Sequence, residues 1–135
     1  MKIVIDAYAW IEIFIGSDKG KKAKEILEKA SETYTPDTVL AEVARKYLRE
    51  GVEQQTILDR LKTIAEASDV VWISVETSLE AAKCYMKLEK EAKKSRLRSP
   101  SLFDALVLAT AKLLEAKVVT GDEHFKNLPE TLWIE

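Results

Sequence analysis

The sequence predicts an α/β fold, a three-layer sandwich with helices on both faces of a parallel sheet. Two observations carry this. Short β-branched runs alternate along the chain with segments of helical periodicity. The runs Ile3-Val4-Ile5, Val70-Val71-Trp72-Ile73 and Val118-Val119 are also apolar throughout rather than alternating, as expected of strands covered on both sides. With 135 residues and no repeat or linker, the chain reads as a single domain, residues 1–135.

The elements follow in order. Lys2–Ile5 is a strand, and the apolar segment Ala7–Ile15 a helix broken by Gly16-Ser17-Asp18. Gly20 precedes a second helix, Lys21–Ala30, with Ala23, Ile26, Leu27 and Ala30 at helical spacing. Thr33–Thr35 has strand propensity and stops at Pro36. The next helix repeats Val39, Leu40, Val43, Ala44, Tyr47 and Leu48 and ends at Gly51. Glu53–Ala67 is helical, Val70–Ile73 a strand and Glu76–Lys93 a long helix. A basic loop, Ser95–Pro100, leads to an apolar helix, Leu102–Ala116. Lys117–Thr120 is the fourth strand and Leu132–Ile134 the fifth.

Composition removes several chemistries. The single cysteine, Cys84, excludes disulfide frameworks and Cys-rich zinc sites, and the single histidine, His124, excludes His-pair metal motifs. No apolar run approaches the ~20 residues of a membrane span. The chain starts directly into a strand-like run without the sections of a signal peptide, so a cytoplasmic protein without membrane association is expected. The net charge of −2 gives no global basic field, but cations cluster locally. One cluster includes Lys93, Lys94, Arg96 and Arg98, another Lys19, Lys21, Lys22 and Lys24, and a third Arg45, Lys46 and Arg49; a solvated helix face is the plain reading of each. Trp10 and Trp72 read as core residues. His124 reads as a turn or surface residue rather than a general base.

The carboxylates are the informative residues. Asp6 follows the first strand and Asp122 lies two residues after the strand ending at Thr120. In a parallel sheet all carboxyl ends share one edge, where ligands bind. Asp104 is the only charge between Pro100 and Lys112, and a buried carboxylate is costly unless paired or bound to a cation. Each has a purely structural alternative. Asp6 can cap the helix that follows it, Asp104 stands at capping-box spacing from Ser101, and Asp122 can be a turn residue. Glu42 can pair with Arg45 or Lys46 one turn on.

Taken together, Val-Ile-Asp-Ala around Asp6, Ala-Glu-Val around Glu42, Phe-Asp-Ala-Leu-Val-Leu-Ala around Asp104 and Val-Val-Thr-Gly-Asp-Glu-His-Phe around Asp122 resemble the PIN-domain ribonuclease family. The likeness is strongest to the small VapC-type toxins of toxin–antitoxin pairs and spans the whole chain. It implies a five-stranded parallel sheet in the order 3-2-1-4-5 and an acidic pocket for Mg²⁺ or Mn²⁺. Asp6 and Asp104 would be the principal metal ligands, Asp122 and Glu42 would complete the set, and Thr120 would steady it. Many members carry a small hydroxyl or amide side chain after the first Asp, where this chain has Ala7-Tyr8. Carboxylates suit this role because Mg²⁺ prefers oxygen ligands.

The implied activity is metal-dependent hydrolysis of RNA phosphodiester bonds. Lys93, Lys94, Arg96 and Arg98 precede the Asp104 helix and can flank the pocket, with Tyr8 as a contact beside Asp6. The resemblance also implies a homodimer and a small antitoxin partner. The apolar Ala7–Ile15 helix, with Trp10, Ile11 and Phe14, could receive that partner or face the chain's own core. The competing function is a non-catalytic scaffold of the same fold that binds RNA or protein. An aspartyl-phosphate phosphatase is excluded because its second Asp would fall at Tyr8.

Overall fold

The computed structural model describes residues 1–135. Its elements are β1 (Lys2–Ile5), α1 (Ala7–Ile15), α2 (Asp18–Lys29), β2 (Glu32–Pro36), α3 (Asp37–Arg49), α4 (Gln54–Ala67), β3 (Asp69–Val71), α5 (Val75–Lys94), α6 (Leu102–Leu114), β4 (Lys117–Thr120) and β5 (Thr131–Trp133). A 3₁₀ turn, Glu123–Phe125, joins the last two strands. All strand pairs are parallel, in the order β3-β2-β1-β4-β5. This is the predicted fold, and the sheet order is the one the resemblance implied.

β1 is the central strand, and Ile3, Val4 and Ile5 are fully buried, as are Val118 and Val119 of β4. Helices cover both faces, so neither strand has a solvent side, which explains why neither alternates. Trp10 sits in this core and its indole N–H donates to Thr35 Oγ1 at 3.1 Å. Trp10 and Ile11 of α1 therefore face the chain's own core. No helix is long and apolar enough to cross a membrane.

Three local expectations are corrected. Gly20 lies inside α2, not before it: Ser17 Oγ caps the helix by accepting the Gly20 N–H at 3.0 Å. Here α2 meets α1 so closely that a Cβ on Gly20 would fall 1.9 Å from the Glu12 carbonyl oxygen, so the glycine serves close packing. The third strand is shorter than predicted. β3 is a sheet edge that ends at Val71, and Trp72, just past it, is 72% exposed rather than in the core. The last long helix stops at Leu114, because Glu115 turns to φ 54° and returns the chain to β4.

Candidate active site

The register of the central strands creates the site. Ile5 lies opposite Val119, so the next residues on each strand, Asp6 and Thr120, emerge side by side at the carboxyl edge. Asp6 ends β1 in extended conformation and caps α1, its Oδ1 accepting the Ala9 N–H at 2.9 Å. Its Oδ2 accepts the Thr120 hydroxyl at 2.5 Å. The same Thr120 oxygen accepts the Asp122 N–H at 2.9 Å. One hydroxyl thus ties the end of β1 to the turn after β4. Ala9 and Thr120, rather than the side chains of Ala7 and Tyr8, provide the hydrogen bonds to the Asp6 carboxylate.

Asp104 reaches the same edge from the first turn of α6. It completes the predicted capping box: its Oδ2 accepts the Ser101 N–H at 2.9 Å, and Ser101 Oγ accepts the Asp104 N–H at 3.1 Å. Capping occupies only one carboxylate oxygen, so the structural role leaves Oδ1 available. Asp122 Oδ1 accepts the His124 N–H at 2.9 Å and faces His124 Nδ1 at 2.8 Å. His124 Nε2 lies 2.8 Å from the Arg98 carbonyl oxygen. Both ring nitrogens therefore face acceptors, an arrangement that an imidazolium satisfies on both sides. One ligand atom each from Asp104, Asp122 and His124 lie within 4.8 Å of one another.

Asp6 and Glu42 lie outside that trio but within its field. Burial first, then the charges of Asp122 and Asp104, push the Asp6 carboxyl up to about 8, against the opposing hydrogen bonds from Thr120 and Ala9. Glu42, one and a half turns into α3, is pushed up to about 7 by burial and by Asp104 and Asp122, with Arg45 opposing. Asp104 is raised by burial too, with Asp122 adding to it and Ser101 opposing. Burial lowers the His124 pKa, but hydrogen bonds to Arg98 and Asp122 outweigh it and raise the net value. Glu42 makes no ion pair within 4 Å, so the alternative role open to it, a bridge to Arg45 or Lys46, is not taken up.

The donor set fits a hard divalent cation. Burial first, and then one another's charge, raise Asp6, Glu42 and Asp104, and a dication among them would relieve both penalties. Both His124 ring nitrogens already face acceptors, which leaves the carboxylate oxygens as the better-placed ligands.

Of the predicted RNA contacts, Arg96 and Arg98 line a cleft of about 550 Å³ with Asp122, His124 and Tyr8. Lys93 and Lys94 do not line it; they belong to the last turn of α5, and Lys94 turns back to Glu91 at 3.8 Å. The Tyr8 hydroxyl is held by Lys19 at 3.1 Å and Glu135 at 3.0 Å. The residue missed from sequence was His124, and its position two residues after Asp122, where a side-chain oxygen closes a turn, was the available signal.

The sequence model of the PIN domain matches residues 3–130. No curated protein sequence matches significantly. Among solved structures, the fold is similar to a toxin–antitoxin complex from Klebsiella pneumoniae (22% identity, TM-score 0.67, covering 98% of each chain). It is also similar to VapBC2 from Rickettsia felis bound to a DNA fragment from its promoter (18% identity, TM-score 0.70, covering 98% of this chain and 97% of that one). A third is Mycobacterium tuberculosis VapC20, a sarcin–ricin loop cleaving toxin (15% identity, TM-score 0.72, covering 94% and 95%).

Proposed function

Because the chain belongs to the PIN domain family, we propose that it is a metal-dependent endoribonuclease and the toxin component of a type II toxin–antitoxin pair. The observation that carries this reading is the convergence of acids from four separate segments on one sheet edge. Asp6 and Glu42 are pushed up to about 8 and about 7 there by burial and by the neighbouring acids. Such an arrangement opposes stability unless a cation occupies it.

Asp6, Asp104, Asp122 and Glu42 would hold Mg²⁺ or Mn²⁺. Bound there, the ion would supply a water of lowered pKa and neutralise charge on the phosphate. Thr120 fixes the rotamer of Asp6 and so the direction of its oxygens. Ser101 fixes Asp104 in the same way. His124, bridging Asp122 and the Arg98 carbonyl, orients Asp122 and holds the Arg96–Arg98 loop in the wall of the cleft. Arg96 and Arg98 then attract the phosphate backbone, and Tyr8 offers a ring face to a base.

The toxin–antitoxin assemblies of similar fold support a small antitoxin protein as partner. For the implied homodimer, support comes from the outward face of α5, where Val75, Leu79 and Met86 are 83%, 64% and 73% exposed. An RNA substrate accords with a cytoplasmic protein.

The test is cleavage of total RNA by purified protein with and without Mg²⁺. Activity that needs the ion and is lost in Asp6→Asn and Asp104→Asn, with unchanged circular dichroism, is expected. Folded protein that binds RNA without cleaving it would favour the scaffold instead.

A further inference from the structure

Arg45, Lys46 and Arg49 follow Glu42 at i+3, i+4 and i+7, so the four share one face of α3. All three cations are exposed, and none reaches a carboxylate within 4 Å. Elsewhere Lys2, Lys19, Lys83, Lys94 and Lys112 do find such partners. The α3 cations line a cleft of about 430 Å³ that also contains Glu42 and Tyr8. Tyr8 lines the second cleft as well, beside Asp122, Arg96 and Arg98, and neither arginine is ion-paired. The first cleft, where three cations outnumber Glu42 and Glu50, therefore meets at Tyr8 a second in which Arg96 and Arg98 stand among Asp122, Glu123 and Glu135, and each has a site carboxylate in its wall.

We propose that α3 forms the second arm of a single-stranded RNA track. The strand lies along Arg45, Lys46 and Arg49, crosses the carboxylates at Tyr8 and leaves over Arg96 and Arg98. The identity of the ligand rests on the nuclease reading above; the placement of the arm rests on the two clefts. The face from Glu42 to Arg49 is on the order of 10 Å long, enough to meet more than one phosphate. Free cations on both sides of a ring match a polymer of regular negative charge with flat bases. A peptide would find little to bury, since besides Tyr8 the apolar residues are Ala7 and Ile11 in the first cleft and Leu97 in the second.

The test uses full-length protein carrying Asp104→Asn to prevent cleavage, and a labelled single-stranded RNA of mixed sequence. Affinity is measured across a salt series for this background, for added Arg45→Ala/Arg49→Ala, and for added Arg96→Ala/Arg98→Ala. Both pairs are expected to weaken binding about tenfold or more at low salt. Each should also flatten log K against log salt by about 0.7 per lost phosphate contact. Lys46→Glu, a single reversal on the same exposed face, should weaken binding as well. Unchanged affinity and slope in the α3 variants, with loss in the Arg96/Arg98 pair, would overturn the second arm. Loss of binding to a poly-glutamate peptide instead of RNA would overturn it too and assign the face to a protein. Mg²⁺-dependent cleavage by the unmodified protein is read separately, so failure of the track and failure of the nuclease reading are distinct results.

Discussion

The Thr120 hydroxyl donates to Asp6 Oδ2 at 2.5 Å while accepting the Asp122 N–H at 2.9 Å, so one side chain links two acids 116 residues apart in sequence. Thr120→Val keeps the shape and removes both bonds. Losing partners for a buried carboxylate and a half-buried N–H is expected to cost about 1–3 kcal/mol. Denaturant unfolding should register that loss, and Thr120→Ser should restore most of it together with RNA cleavage.

The carboxyls give the metal-free protein an unusual pH dependence. An aspartate with a pKa of 3.8 when unfolded and about 8 when folded binds its proton more tightly in the fold. Stability is then full below pH 3.8 and is lost as the pH rises towards 8. Glu42, raised from 4.5 to about 7, acts with the same sign. The His124 ion pair also contributes below pH 6.5 and is lost as the pH rises through its raised folded value. Melting temperature in the presence of a chelator should therefore fall steadily from pH 5 to pH 8. Asp6→Asn should flatten that fall and be the more stable protein at pH 8.

At the contact between α1 and α2, Gly20→Ala would gain about 1 kcal/mol of helix propensity. The new Cβ, however, would fall 1.9 Å from the Glu12 carbonyl oxygen, which is backbone and cannot swing away. Overpacking of about 1–3 kcal/mol should win. A melting temperature lower by at least about 3 °C is expected by calorimetry; an unchanged or higher one would mean that the helices separate freely.

His124 bridges Asp122 and the Arg98 carbonyl, both at 2.8 Å. Arg96 sits in the same loop at φ 56°, a left-handed conformation that a side chain adopts at some cost. His124→Ala should free this loop. Limited trypsin digestion is predicted to cut after Arg96 or Arg98 several-fold faster than in the unsubstituted protein, with His124→Gln intermediate.

Much of this architecture was legible because the central strands are buried on both faces and their composition says so directly. The candidate acids were legible because Asp6 and Asp122 follow those strands at once, and parallel strands share their carboxyl edge. Periodicity could not separate capping from ligation, and the reason is now plain: Asp6 and Asp104 each cap a helix with one oxygen and leave the other for a second role. Trp72 misled because an apolar run at a sheet edge looks like one at the centre until the strand order is known. His124 was undervalued because its partner, the Arg98 carbonyl, is 26 residues away and is fixed only by the tertiary fold.

The most direct measurement is the melting temperature of metal-free protein titrated with Mn²⁺ at pH 7.5. A real site binds the folded state alone and must raise the transition with metal concentration. A rise of several degrees that is abolished in both Asp6→Asn and Asp104→Asn is predicted. No rise, or an equal rise in the two variants, would mean that these acids do not form a cation site.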